Sequence, residues 1–156
     1  MCSIIGYCGG NPAAPMLVHA LKRMEYRGYD SVGIATLSDS RIWIKKGIGK
    51  VVEVNNKLGL EMLSGTTGIG HTRWATHGGV TNANAHPHSS SSNRIAIVHN
   101  GIIDNYVELK KGLERKGFVF KSDTDSEVIA NLLQECFDET GDIKRSMIYT
   151  TSKLKG

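Results

Sequence analysis

The stretch Ser31-Val32-Gly33-Ile34-Ala35-Thr36-Leu37-Ser38-Asp39-Ser40-Arg41-Ile42-Trp43-Ile44-Lys45-Lys46 carries the strongest folding instruction in the chain. Residues 31–37 and 41–46 are β-branched or alternating runs, suited to a pleated ladder whose side chains point to alternate faces. Ser38-Asp39-Ser40 between them is turn chemistry, so the segment predicts an antiparallel hairpin. Upstream, Ser3–Gly9 reads as a buried strand. A helix follows it, with Asn11 as its cap, Pro15 in its first turn, Leu17, Leu21 and Met24 at helical spacing, and Gly28 as its stop. Downstream, Val51–Leu63 reads as a helix. Thr67–Thr72 and Arg94–His99 read as short strands separated by a long polar loop, in which Ser89 to Ser92 is expected to be exposed.

The second half is more helical. Ile103, Tyr106, Val107 and Leu113 mark one face of a helix ending at Gly117, and Phe118–Lys121 reads as a brief strand. Thr124 and Glu127 have capping-box spacing ahead of a helix that turns Val128, Ile129, Leu132, Leu133 and Cys136 inward. A last helix uses Ile143, Met147, Ile148, Thr151 and Leu154, with Gly156 expected as its C-cap. Strands joined by a hairpin, then helices, predict an α+β layered fold.

The chain has 156 residues, with 19 basic and 15 acidic side chains. That length suits one domain able to bury roughly 70% of its unfolded surface without metals or disulfides. Ten aromatics are scattered among charges that form no stripe, which argues against a nucleic-acid surface. No apolar run approaches the ~18 residues of a bilayer span, and the N-terminus lacks the basic region of a signal peptide. Three cysteines at irregular positions make no disulfide framework, so a cytoplasmic setting is the expectation.

Several residues carry chemical potential, each with an ordinary reading beside it. Cys2 becomes the N-terminus once Met1 is trimmed. A thiol then shares one residue with an α-amine of reference pKa about 7.7–8.0, a nucleophile with its own base. Its ordinary reading is a small apolar residue. His71-Thr72-Arg73-Trp74-Ala75-Thr76-His77-Gly78 packs a guanidinium, an indole, a hydroxyl and an imidazole into one turn. Arg73 suits bidentate carboxylate capture, and the alternative is a surface arginine beside a core tryptophan. Asn100-Gly101 offers two donors for an oxyanion, or simply a turn. Asp125 could meet an ammonium, or complement a helix dipole. Five of the six histidines fall within 29 residues, but their spacing is not that of a metal site.

Taken in order, Cys2, Glu25-Tyr26-Arg27-Gly28-Tyr29-Asp30-Ser31, the 70–78 stretch, Asn84-Ala85-His86-Pro87-His88, Val98-His99-Asn100-Gly101-Ile102-Ile103-Asp104-Asn105 and Ser122-Asp123-Thr124-Asp125-Ser126-Glu127 resemble one family over essentially the whole chain. It is the class II glutaminase domain of the glutamine–fructose-6-phosphate aminotransferases, also called glucosamine-6-phosphate synthases. The resemblance implies an Ntn-hydrolase fold, a four-layer αββα sandwich, and hydrolysis of the L-glutamine side-chain amide through a γ-glutamyl thioester. It implies Cys2 as nucleophile, and Asn100 with the Gly101 N–H as oxyanion hole. Arg73 would hold the substrate carboxylate beside Thr76 and His77, while Asp125 and the Gly101 carbonyl meet its ammonium. Trp74 would lie in a closing loop and Arg27 near the nucleophile. No cofactor or metal is implied.

Two departures stand out. Ser3 replaces the family's Gly after the nucleophile, where a Cβ could crowd the reacting centre. The family domain also runs on for further strands and is followed by sugar-phosphate isomerase domains. Residues 1–156 are therefore expected to be the N-terminal portion of the glutaminase domain, incomplete at its C-terminus, with L-glutamine as ligand and a homodimer left open for the full-length enzyme. The competing readings are a non-catalytic fragment or split subunit needing a partner chain, and, more distantly, a histidine metal-binding module.

Overall fold

The computed structural model describes residues 2–74 and 79–156. Strands β1 (Ser3–Cys8), β2 (Ser31–Ser38), β3 (Arg41–Ile48) and β4 (Thr67–Arg73) form an antiparallel sheet in the order β1-β4-β2-β3. The β2–β3 hairpin is the one expected. Ser38 pairs with Arg41, and Asp39 and Ser40 both take positive φ (51° and 59°), the two-residue turn that matches strand twist.

Register then assigns the faces. Ser3, Thr72 and Val32 share a row, as do Ile5, Gly70 and Ile34. This face carries the core, because α1 (Ala13–Met24) lays Leu17, Val18 and Leu21 against Val32, Ile34 and Ile5, with Val51 and Val54 of α2 (Val51–Leu58) beside them. The intervening rows, Ile4–His71–Gly33 and the Cys2–Arg73–Ser31 end, point to the opposite face.

On that opposite side lies a small second sheet, β5 (His88–Ser89) with β6 (Ala96–Ile97), so the strand expected over 94–99 is a two-residue ladder. Among the described residues, three helices follow: α3 (Tyr106–Arg115), α4 (Glu127–Thr140) and α5 (Ile143–Lys153). α4 covers β5 and β6 and packs on α5, while Leu113, Val128 and Leu132 form a second core with Tyr106, Phe118 and Leu154. The layers run helix, sheet, sheet, helix, the expected αββα order.

Local expectations differ in several places, each for a physical reason. Asn11 makes no cap; Pro12 occupies the N-cap of α1 without a side-chain bond. The helix expected over 51–63 stops at Gly59, whose left-handed conformation (φ 62°) turns the chain into a separate 3-10 turn at Leu60–Met62. Phe118–Lys121 joins no ladder; the Val119 N–H donates instead to Ser91 Oγ, and the Lys121 N–H to Glu127 Oε1. Of Ser89 to Ser92, only Ser92 is exposed. Ser90 is fully buried, the Ser91 N–H and hydroxyl donate to Asn131 Oδ1, and those of Ser92 to Gln134 Oε1. Gly156 caps nothing: α5 closes at Leu154, which is extended and reaches the second core. No helix among the described residues is long and apolar enough to cross a membrane.

Candidate active site

The sheet register builds the site. With Ser3 opposite Thr72 and Ser31 opposite Arg73, residue 2 falls across from Arg73 at one sheet end, and the Asp30 N–H donates to the Arg73 carbonyl at 3.0 Å. The Trp74 N–H donates to Cys2 Sγ at 3.2 Å, and Asn100 Nδ2 donates to the Cys2 carbonyl at 3.4 Å. Cys2, Arg73, Trp74, Asn100, Gly101 and Asp125 line one polar cavity of about 30 Å³, together with His71, His86, His99, Thr124 and Ser126.

Arg73 is 5% exposed, and its Nη1 donates to the Gly79 carbonyl at 3.2 Å. Burial lowers its pKa, while Cys2, Asp30 and Asp125 oppose the shift by favouring the cation. Asp125 is 3% exposed. Its Oδ2 accepts from the Ile103 N–H at 2.7 Å and its Oδ1 from Ser126 Oγ at 3.3 Å. It does not sit inside a helix as expected. α4 begins at Glu127, with no side-chain cap, and the Glu127 carboxylate is spent on the Lys121 and Ser122 N–H groups and the Ser122 hydroxyl. That grip holds the turn which delivers Asp125.

Ser3 does not crowd the nucleophile. Strand alternation sends its side chain to the α1 face, where Oγ donates to the Met24 carbonyl at 3.3 Å. Arg27 is exposed in the 3-10 turn after α1 and does not line the cavity. Thr76 and His77 lie outside the described residues. Trp74 is exposed, its indole meeting Tyr29 edge to face at 5.3 Å.

Two features of the site were not anticipated. His71, His86 and His88 form a buried cluster at the cavity wall, His71 stacked on His86 with ring centroids 4.3 Å apart and His88 meeting His86 edge to face at 4.4 Å. Burial first, then the Arg73 cation, lowers the His71 pKa to about 4; burial, then the Lys46 cation, lowers that of His88 to about 3; burial, then the neighbouring His71 and His88, pushes His86 down further. These imidazoles are neutral at pH 7. The other feature is Lys46. It shares the inward row of His71 and Gly33, and its ammonium donates to the Ala83, Ala85 and Pro87 carbonyls at 3.0, 2.6 and 3.1 Å. Burial lowers its pKa to about 8 against the pull of Glu127. The clamp lays the 83–87 loop on the sheet so closely that a Cβ on Gly33 would sit 2.2 Å from the His86 carbonyl oxygen. The pairing of Gly33 with Lys46 was readable only from the hairpin register.

A roomier cleft of about 590 Å³ lies between β3 and the 83–93 loop, floored by Ile42, Ile44 and Leu58. It contains none of the nominated residues. Its lysines 45, 46 and 121 each already donate to a protein oxygen. Chemistry, not volume, therefore selects the smaller cavity.

The pattern of the glutamine amidotransferase domain family matches residues 59–146, a span that includes Arg73, Asn100, Gly101 and Asp125. Among curated relatives, the glutamine–fructose-6-phosphate aminotransferase [isomerizing] of Pyrococcus horikoshii is 51% identical over all 156 residues, which cover 26% of that protein. The one from Methanococcus maripaludis is 58% identical over 135 residues, 86% of this chain and 22% of that protein. The chain thus spans about a quarter of the length of these relatives. Among solved structures, the glutamine phosphoribosylpyrophosphate amidotransferase from B. subtilis, complexed with ADP and GMP, aligns with 100% of this chain and 33% of its own at TM-score 0.81 and 28% identity. A structure described as the allosteric regulatory enzyme of purine biosynthesis aligns with 100% of this chain and 34% of its own at 0.83 and 30%. The αββα layering is that of the Ntn-hydrolase glutamine amidotransferases. With the family pattern covering more than half of its residues, the chain belongs to the glutamine amidotransferase domain family.

Proposed function

We propose that the chain hydrolyses the side-chain amide of L-glutamine, with Cys2 as N-terminal nucleophile after removal of Met1. Cys2 Sγ attacks the amide carbon, and its α-amine takes the thiol proton. The tetrahedral oxyanion is met by Asn100 Nδ2 and the Gly101 N–H. The amine then passes the proton to the departing nitrogen, ammonia leaves, and water hydrolyses the γ-glutamyl thioester to glutamate. Arg73 holds the substrate carboxylate and Thr76 and His77 contribute to substrate binding, while Asp125 and the Gly101 carbonyl hold the ammonium. Trp74 covers the bound substrate, and Arg27 supports the nucleophile from outside the cavity. The observation that carries this reading is the convergence of Cys2, Arg73, Asn100, Gly101 and Asp125 on one cavity, although they come from distant parts of the chain.

We further propose that residues 1–156 are the N-terminal portion of a longer cytoplasmic protein. In it, the ammonia is used to make glucosamine 6-phosphate from fructose 6-phosphate by isomerase domains outside this chain. The relatives' names and lengths support this, as do three cysteines that are all free. The test is glutamate release from L-glutamine by the processed chain, alongside Cys2→Ala. The reading requires release that is lost in the variant; equal release from both would sink it.

A further inference from the structure

Resting on the glutaminase reading, one arrangement beside the nucleophile goes beyond it. Asp125 accepts at both carboxylate oxygens, Oδ2 from the Ile103 N–H and Oδ1 from Ser126. Ser126 has a single hydroxyl proton, and its Oγ donates to Asp125 Oδ1 at 3.3 Å. The same oxygen lies 3.0 Å from His99 Nδ1, so that nitrogen must be the donor. The chain of bonds therefore fixes the His99 tautomer, with the proton on Nδ1 and a lone pair on Nε2.

Nε2 faces the oxyanion turn. A Cβ built on Gly101 would lie 2.7 Å from Nε2 and 3.1 Å from Cε1. Gly101 is not among the residues of positive φ, so its missing side chain answers to the space His99 takes and not to backbone strain. The His99 N–H is itself directed at His86 Nδ1, at 3.4 Å. Asp125 thus grips segment 99–103 at two points: directly through the Ile103 N–H, and through Ser126 and the His99 ring at Gly101.

We propose that His99 is a positioning residue that couples Asp125, through Ser126, to the Asn100–Gly101 turn. The carboxylate that meets the substrate ammonium would then also set the place of the oxyanion donors. Bound substrate would be sensed at one end of the relay and the reacting carbonyl stabilised at the other.

The test uses the full chain with Met1 removed and its Ser126→Ala, His99→Leu, double, and His99→Asn variants. Each of the first two is expected to lower kcat for glutamine hydrolysis about tenfold, with KM within about twofold, because donors are misplaced while the ammonium contact persists. The double variant should be no worse than the poorer single one. His99→Asn, which keeps an N–H toward Ser126, should recover part of the loss. Independently of activity, 15N imidazole shifts of His99 near neutral pH should report Nδ1–H in the parent and a loss of that preference in Ser126→Ala. Multiplicative losses in the double variant, a rise in KM at unchanged kcat, or an Nε2–H tautomer in the parent would each overturn the coupling. A parent chain releasing no glutamate would overturn the glutaminase reading instead, and the tautomer measurement would then decide the relay alone.

Discussion

Titrating the chain from about pH 7.5 to about pH 5 makes its stability depend on three buried imidazoles, His71, His86 and His88. His71 is 1% exposed and its pKa is lowered to about 4; His88 is 2% exposed with its pKa at about 3; His86 is pushed down further. Burial is the first cause in every case. The cation of Arg73 follows for His71, the neighbouring His71 for His86, and Lys46 for His88. In the unfolded chain each titrates near 6.5. Above that pH both states are neutral and the fold keeps its full stability. Between 6.5 and the folded values, the unfolded chain takes up protons that the folded chain refuses, so stability falls as pH falls. Each histidine contributes about 1.4 kcal/mol per pH unit. Down to pH 5 that is about 2 kcal/mol each and about 6 kcal/mol for the three, comparable with the whole stability of a typical domain. Urea melts followed by tryptophan fluorescence across this range read the effect as a falling midpoint. His71→Leu should reduce the slope to about two-thirds of the parent's. A midpoint that does not move between pH 7.5 and 5, or a variant slope equal to the parent's, would refute a neutral buried stack.

Three further outcomes follow from named contacts. Asn100→Ala should lower kcat for glutamine by about 10²–10³ with little change in KM, because the lost donor acts on the oxyanion and not on the ground state; steady-state kinetics checks this. Lys46→Met leaves the Ala83, Ala85 and Pro87 carbonyls without their shared donor and should cost about 3 kcal/mol in urea unfolding. Lys46→Arg should cost less, and equal losses would count against the clamp. Asn131→Ala removes the acceptor of the Ser91 N–H (2.8 Å) and hydroxyl (2.9 Å) and should destabilise by about 2 kcal/mol, a loss absent from an exposed-site control such as Glu139→Ala.

What was legible in the sequence was what local chemistry decides. The β2–β3 hairpin depends on alternation and turn chemistry, both contained within 31–48, and it forms where read, with Ser38 joining the ladder and leaving Asp39-Ser40 as the turn. Cys2, Arg73, Asn100, Gly101 and Asp125 were nominated from residue type and motif, and the fold draws them to one cavity. What local spacing could not settle was competition between partners. Thr124 and Glu127 have capping-box spacing, but the N–H groups of Lys121 and Ser122 win the Glu127 carboxylate. A serine run looks solvent-exposed until Asn131 and Gln134, one turn apart on α4, supply its acceptors. Ser3 looked like an intrusion beside the nucleophile, and only the strand register shows that its hydroxyl points away. The histidine stack joins β4 to a loop more than ten residues downstream, a placement that follows from the Lys46 clamp and not from spacing.

The central claim is that Cys2 is a glutamine-directed nucleophile, and the chain contains its own controls. Cys8 is exposed and Cys136 is buried, so a general thiol reagent should favour Cys8, whereas a glutamine-shaped electrophile should favour Cys2. The direct measurement is intact mass followed by peptide mapping after exposure of the processed chain to such an electrophile. One adduct, on Cys2, suppressed by excess L-glutamine and absent from Cys2→Ala, is the predicted result. An unmodified Cys2, or labelling at Cys8 that glutamine does not suppress, would contradict the account.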